Sequence, residues 1–195
     1  MSAAAVVAVL AGGRSRRMGA AKATIPLGGR PLIDWPLAAA ARAGLDAVVV
    51  AKPGSELPCL DVPVWREPGA VSHPLAGLVC ALEQAEGRAV VAVACDMPFV
   101  APELLARLAA LEAPAAAARV GGRLEPFPGR YEQAALPVLR AALEREAPVR
   151  EALASLAPVE LGEEELLAFG DPVLMVAGVN TPSELAAAEA LVRSG

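Results

Sequence analysis

The chain has 195 residues, 55% of them hydrophobic and 20% charged, with a formal net charge of −5. That length and apolar content suffice for one well-buried core, and the near-average charged fraction excludes a disordered or fibrous chain. A negative net charge and six aromatic residues supply neither the basic field nor the stacking surface that nucleic acid requires, so no nucleic-acid partner is expected.

The first apolar run, Ala3 to Ala11, is followed rather than preceded by Arg14, Arg16 and Arg17, the reverse of a secretory signal. No run approaches the roughly 20 apolar residues needed to span a bilayer. The expectation is a cytoplasmic protein with no membrane partner. Cys59, Cys80 and Cys95 are odd in number and form no CxxC pair, so they read as reduced, buried fillers rather than a disulfide framework or zinc site. His73 is the single histidine, which removes any mechanism that needs two. A Cys–His nucleophile stays open on composition.

In chain order, Ala4 to Leu10 is a β-branched apolar run ending at Gly12-Gly13, the pattern of a buried parallel strand entering a tight loop. Pro31 to Ala43 reads as a helix with proline in its first turn and Gly44 at its end, followed by a strand from Asp46 to Ala51. A short strand around Val62 to Trp65, a helix from Pro74 to Glu86 and a strand from Ala89 to Ala94 repeat the pattern, and a helix from Pro102 to Leu111 follows. Ala115 to Val120 and Leu124 to Tyr131 read as strands, Gln133 to Glu144 and Val149 to Leu156 as helices, Val173 to Val176 as a strand, and Ser183 to Val192 as a closing helix. The alternation predicts an α/β protein with three layers, α/β/α, around a Rossmann-like, mostly parallel sheet, with ligands beyond the carboxyl ends of the strands.

The first strand runs into Leu10-Ala11-Gly12-Gly13-Arg14-Ser15-Arg16-Arg17-Met18-Gly19-Ala20-Ala21-Lys22, where four cations and three glycines share thirteen positions. Glycines let backbone amides approach phosphate oxygens, and arginine forks with a lysine neutralise them. The spacing excludes two other phosphate loops: Lys22 stands three residues after Gly19, not next to it as GxxxxGK[ST] demands, and Gly12, Gly13 and Gly19 do not make GxGxxG. The alternative is a solvated basic face after a glycine turn.

Asp96 follows the Ala89 to Ala94 strand in Cys95-Asp96-Met97-Pro98-Phe99. A carboxylate at that edge can hold Mg²⁺ against an α-phosphate, or it can cap the next helix. Glu67, after a short strand, reads as an exposed carboxylate or as a contact to base or ribose. Asn180 reads as a helix cap or as an acceptor-binding residue, and His73 as a turn residue or a ligand.

The run Leu10-Ala-Gly-Gly-x-Ser-x-Arg17-Met-Gly19-x-x-Lys22 resembles the signature loop of the enzymes that make activated sugars, isoprenoid precursors and molybdenum cofactor dinucleotides. Cys95-Asp-Met-Pro-Phe99, His73-Pro-Leu-Ala-Gly77-Leu and Val179-Asn180-Thr-Pro-Ser-Glu-Leu185 resemble the molybdenum cofactor guanylyltransferases of the NTP transferase superfamily, in the same order and over nearly the whole chain. The resemblance implies one nucleotidyltransferase domain over residues 1–195 with the nucleotide-diphospho-sugar transferase fold. It implies transfer of GMP from GTP to the phosphate of molybdopterin, releasing pyrophosphate, with Mg²⁺ as cofactor and GTP and molybdopterin as substrates, and it leaves room for transient contact with molybdenum cofactor biosynthesis or acceptor proteins. On that basis Leu10, Ala11, Gly12, Gly13, Arg14, Lys22, Glu67 and Asp96 bind nucleotide, Lys22, Arg17 and Asp96 are catalytic, Asp96 holds the metal and Asn180 the acceptor. Leu-Ala-Gly-Gly is associated with guanine, and Leu-Ala-Ala-Gly with cytidylyl relatives. The chain departs from the family at Ala21, where Asp is usual, at Ala51 and Gly178, where Asn is frequent, and at His73, where Gly is frequent. Beside guanylyl transfer stand a cytidylyltransferase acting on molybdopterin or another small phosphate, and a noncatalytic nucleotide-binding protein.

Overall fold

The computed structural model describes residues 5–12, 21–68 and 73–194. Three apolar runs without alternation, β1 (Val6–Leu10), β4 (Ala47–Ala51) and β6 (Val90–Ala94), lie side by side and parallel, with Val7 opposite Ala47 on one flank and Val91 on the other. Such runs suit strands that are covered on both faces. Val7 and Val9 point into one core with Leu104, Leu105 and Leu108 of α3 (Pro102–Ala110) and Ala39 and Ala40 of α1 (Asp34–Arg42). Val6 and Ala8 point into the other, with Leu75, Leu78 and Leu82 of α2 (Pro74–Gln84) and Leu139 of α4 (Leu136–Glu144). The result is three layers, helix on sheet on helix.

The sheet has seven strands in the order β5-β4-β1-β6-β8-β7-β9, where β5 is Val64–Arg66, β7 Ala115–Val120, β8 Arg123–Tyr131 and β9 Val159–Leu161. Only β8 runs against its neighbours β6 and β7, so the sheet is mostly parallel as expected. The carboxyl ends of β5, β4, β1 and β6 therefore share one edge.

Three elements differ from the sequence reading. Pro31 does not start a helix: it closes a two-stranded hairpin, β2 (Pro26–Leu27) with β3 (Arg30–Pro31), and α1 begins at Asp34. Gly28 and Gly29 have φ of +60° and +79°, the conformation that a two-residue hairpin turn imposes. Val173 to Val176, expected as a strand, is a helical turn, α7 (Pro172–Met175), because the Asp171 carboxylate accepts from the Val173 amide at 2.9 Å and Pro172 sets the first φ. The seventh strand is instead β9, which pairs with β7, and α5 (Val149–Ala154) and α6 (Glu163–Leu166) flank it. The closing helix α8 (Pro182–Ser194) packs on the hairpin through a small third core of Ile25, Leu27, Leu32, Val179 and Ala188. Of the three cysteines, Cys80 and Cys95 are buried but Cys59 is exposed, so the expectation of three buried fillers fails at Cys59.

Candidate active site

Each functional side chain is set by the element that precedes it. Cys95 ends the β6 run by donating its amide to the Leu10 carbonyl at 3.1 Å, which brings Asp96 level with the segment that follows β1 at Gly12. Lys22 opens a 3-10 turn, Lys22–Thr24, whose Ala23 is buried in the core shared with α1 and α3. From there the Lys22 ammonium donates to Asp96 Oδ2 at 2.5 Å and to Asn180 Oδ1. These contacts join residues 74 and 158 positions apart in sequence. The Val179 amide donates to the Asp96 carbonyl at 2.8 Å, so the segment before α8 is tied to the strand that carries the carboxylate. The side chains of Lys22 and Asp96 stay 17% and 13% exposed, enough to reach a ligand.

A cleft of about 400 Å³ opens over this group, lined by Leu10, Gly12, Lys52, Glu67, His73 and Gly77 as well as Lys22 and Asp96. It lies beyond the carboxyl ends of the parallel strands, where ligands bind in open α/β sheets. Glu67 overturns the exposed reading: it is 4% exposed, and its Oε1 packs between Gly12 and Gly77. Burial pushes its carboxyl pKa up, and the charge of Lys52 partly offsets that. A buried carboxylate with no hydrogen-bonded side-chain partner among the described residues but an ammonium nearby is the kind of group that binding sites collect.

The structure also bears on the other open readings. Asp96 does not cap α3, whose N-cap is Ala101 ahead of Pro102. His73 is the N-cap of α2, with Nδ1 accepting from the Leu75 amide at 3.2 Å, and it also lines the cleft. Asn180 is not the cap of α8. That work falls to Thr181, whose hydroxyl accepts from the Glu184 amide, and to Glu184, whose Oε2 accepts from the amides of Asn180 and Thr181 at 2.6 and 3.0 Å. This reciprocal arrangement is a capping box shifted over the Asn180 backbone, and it frees the Asn180 side chain to face Lys22. Cys95 lines the cleft, but burial and the neighbouring Asp96 charge push its thiol up to about 12, which removes it as a nucleophile at neutral pH. Leu10 and Gly12 line the cleft, and Ala11 between them packs into the core, whereas Gly13, Arg14 and Arg17 fall outside the described residues.

Sequence reasoning missed Lys52 and Glu184. Lys52 directly follows β4, and the rule that placed Asp96 at a strand's carboxyl edge would have found it. Glu184 stands three residues after Thr181, the T-x-x-E spacing of a capping box.

The profile of the MobA-like NTP transferase domain matches residues 7–159, which span β1 through the first residue of β9 and hold Lys22, Glu67 and Asp96. The chain belongs to the MobA-like NTP transferase family. It is thus a nucleotidyltransferase. Relatives include the molybdenum cofactor guanylyltransferase of Cereibacter sphaeroides, 36% identical over 195 residues and 95% of each chain. Another is the probable molybdenum cofactor guanylyltransferase of Carboxydothermus hydrogenoformans, 33% identical over 135 residues and 68% of each chain. Among solved structures, molybdopterin-guanine dinucleotide biosynthesis protein A from Archaeoglobus fulgidus superimposes with a TM-score of 0.83 at 26% identity, covering 97% of this chain and 100% of that one. The 2-C-methyl-D-erythritol 4-phosphate cytidylyltransferase of Thermus thermophilus, with a TM-score of 0.68 at 23% identity over 99% of this chain and 100% of that one, shares the fold.

Proposed function

We propose that this member of the MobA-like NTP transferase family transfers GMP from GTP to the phosphate of molybdopterin and releases pyrophosphate. The observation that carries the reading is the meeting of Lys22, Asp96 and Asn180 at the carboxyl edge of the sheet, in the cleft that also holds Gly12 and Glu67. The names of the relatives, with 36% identity along nearly the full length in one case, support guanine and molybdopterin over other pairs. Transient contact with the proteins that supply or take the cofactor follows from the same reading.

The chemistry asks little of the protein beyond placement and charge. An acceptor phosphate oxygen forms a bond to the α-phosphorus of GTP as the bond from that phosphorus to the bridging oxygen of the β-phosphate breaks, and pyrophosphate leaves. A phosphomonoester has its second pKa near ~6 and is largely dianionic at neutral pH, so no general base is required. That suits a site whose one histidine caps a helix and whose cysteine is held as a thiol. Lys22 neutralises charge that builds on the phosphates, and Asn180 orients the lysine and the acceptor.

The donor set fits Mg²⁺. This ion takes one or two carboxylates and fills its shell with water and substrate phosphate oxygens, and here Asp96 presents one carboxylate in the cleft; no cluster of three or more metal-ligating side chains occurs among the described residues. Asp96 would hold the ion, which, when bound, draws electron density from the phosphate oxygens.

The test is a screen of the four NTPs against reduced molybdopterin with Mg²⁺, reading product by mass. GTP alone should give the dinucleotide and pyrophosphate. Product from CTP instead would make the protein a cytidylyltransferase, and nucleotide binding without product would make it noncatalytic.

A further inference from the structure

The pairing of β8 with β6 consists of Tyr131, Arg130 and Gly129 opposite Val90, Val91 and Ala92. Because the strands are antiparallel, the residues just before Gly129 come alongside the end of β6 that leads to Asp96. On the other flank the register of β7 jumps, from Ala117 opposite Gly129 to Ala118 opposite Glu125. Pro126, Phe127 and Pro128 therefore bulge from the ladder, and two of the three have no amide proton to give it.

The bulge is braced from within. Tyr131 is fully buried, and its hydroxyl donates to the Pro126 carbonyl at 2.8 Å. Gly129 admits that carbonyl, because a Cβ there would stand 2.5 Å from Pro126 O. Bulges beside active sites re-aim a side chain, and the side chain re-aimed here is Phe127. It is half-buried and lines the cleft with Lys22 and Asp96. Among the described lining residues it is the one Phe, Tyr or Trp.

The cleft is thus polar at one end and apolar at the other. Glu67 and Lys52 follow β5 and β4, Gly12 and Asp96 follow β1 and β6 in the middle, and Phe127 stands on β8 beyond them. A nucleobase, read by its hydrogen-bonding edge, suits the end with the carboxylate and the ammonium. A flat conjugated ring that needs a face to lie on suits the other. We propose that Phe127 is the stacking platform for the acceptor's ring system, a conjugated heterocycle bearing a phosphate, on the opposite side of Asp96 from the nucleobase. This assignment rests on the transfer reaction proposed above.

The test uses Phe127→Leu, which keeps apolar volume and loses the ring face, and Phe127→Tyr, which keeps both, each first checked for an unchanged melting curve. In the transfer assay with molybdopterin and GTP, Phe127→Leu should raise the KM for molybdopterin about ten-fold and leave the KM for GTP unchanged. Phe127→Tyr should restore the wild-type value. The melting-temperature rise caused by GTP and Mg²⁺ without acceptor should be the same in all three proteins. An unchanged molybdopterin KM in Phe127→Leu overturns the proposal, and so does a GTP-induced shift that falls in that variant, since the ring would then serve the nucleobase. Equilibrium dialysis with molybdopterin separates the two readings. A wild-type protein that retains molybdopterin without making product sinks the transfer reaction but not the platform, whereas equal retention by Phe127→Leu, or none by the wild type, sinks the platform.

Discussion

Gly12 lies so close to the Glu67 carboxylate that a methyl group added at Gly12 would overlap Oε1. The other side of that oxygen is closed by Gly77, where a Cβ would stand 3.1 Å away. Glycine at these positions is needed for proximity rather than for turn conformation, because neither has a positive φ.

The expected outcome of Gly12→Ala follows from which atom must yield. Oε1 is the far end of a flexible side chain, so the fold should tolerate the change with only a small loss in melting temperature. The displaced carboxylate, however, loses its place toward the ligand. One charge-assisted hydrogen bond is worth about 1.5–3 kcal/mol, so GTP affinity should fall about ten-fold or more, with Gly77→Ala milder. Titrating the GTP-induced melting shift against ligand concentration measures both.

Glu67 itself should trade stability for binding. Burial raises its folded pKa above the ordinary glutamate value, so the folded state holds the proton more tightly than the unfolded chain. Stability is then lost as pH rises from that ordinary value through the raised one, and the deficit persists at neutral pH. Glu67→Gln removes the ionisation. The variant should melt above the wild type at pH 7, converge with it at acid pH below the ordinary glutamate range, and bind GTP more weakly. A variant that melts below the wild type at pH 7 would contradict this account.

Both the layering and the edge that carries the site were legible in the sequence, because Val6–Leu10, Ala47–Ala51 and Val90–Ala94 lack alternation and run within two residues into Gly12, Lys52 and Asp96. Lys22 and Asp96 could be singled out by type and position, although nothing in the sequence put them 2.5 Å apart. The misreadings share one cause. Val173-Leu-Met-Val is apolar enough for a strand, and only the Asp171 carboxylate on the backbone amides decides for a helical turn. Glu67 looked exposed because glutamate usually is. Its burial depends on two glycines, one on the loop after β1 and one on α2, whose convergence local sequence does not record.

Glu184 should act through Asn180. Its carboxylate accepts from the amides of Asn180 and Thr181, and these bonds hold its pKa below the ordinary value. The sign is opposite to that of Glu67: the contribution is present above the ordinary glutamate value and disappears as pH falls through the lowered one. Glu184→Ala should therefore lower the melting temperature at pH 7 but hardly at the acid end. It should also raise the KM for acceptor more than that for GTP, because Asn180 loses the backbone anchor that turns its side chain to Lys22. Glu184→Gln, which still accepts hydrogen bonds, should recover most of the KM and less of the pH-dependent stability.

The Lys22–Asp96 pair separates function from fold most sharply. Both side chains keep some solvent contact, 17% and 13%, so losing one partner costs between the about 0–1 kcal/mol of an exposed pair and the about 3–5 kcal/mol of breaking a buried one. Lys22→Ala and Asp96→Ala should each stay folded, with a melting temperature within roughly 10 °C of the wild type. Transfer depends instead on charge placed where phosphate charge builds up, and removing one such group costs about 10²–10³ in kcat. Lys22→Arg keeps the charge but not the point geometry that reaches Asp96 and Asn180 together, so it should remain far below wild type. Asp96→Ala should in addition lose the extra melting shift that Mg²⁺ adds to GTP, which Lys22→Ala should keep. Wild-type turnover by the Asp96→Ala protein would remove Asp96 from the reaction altogether.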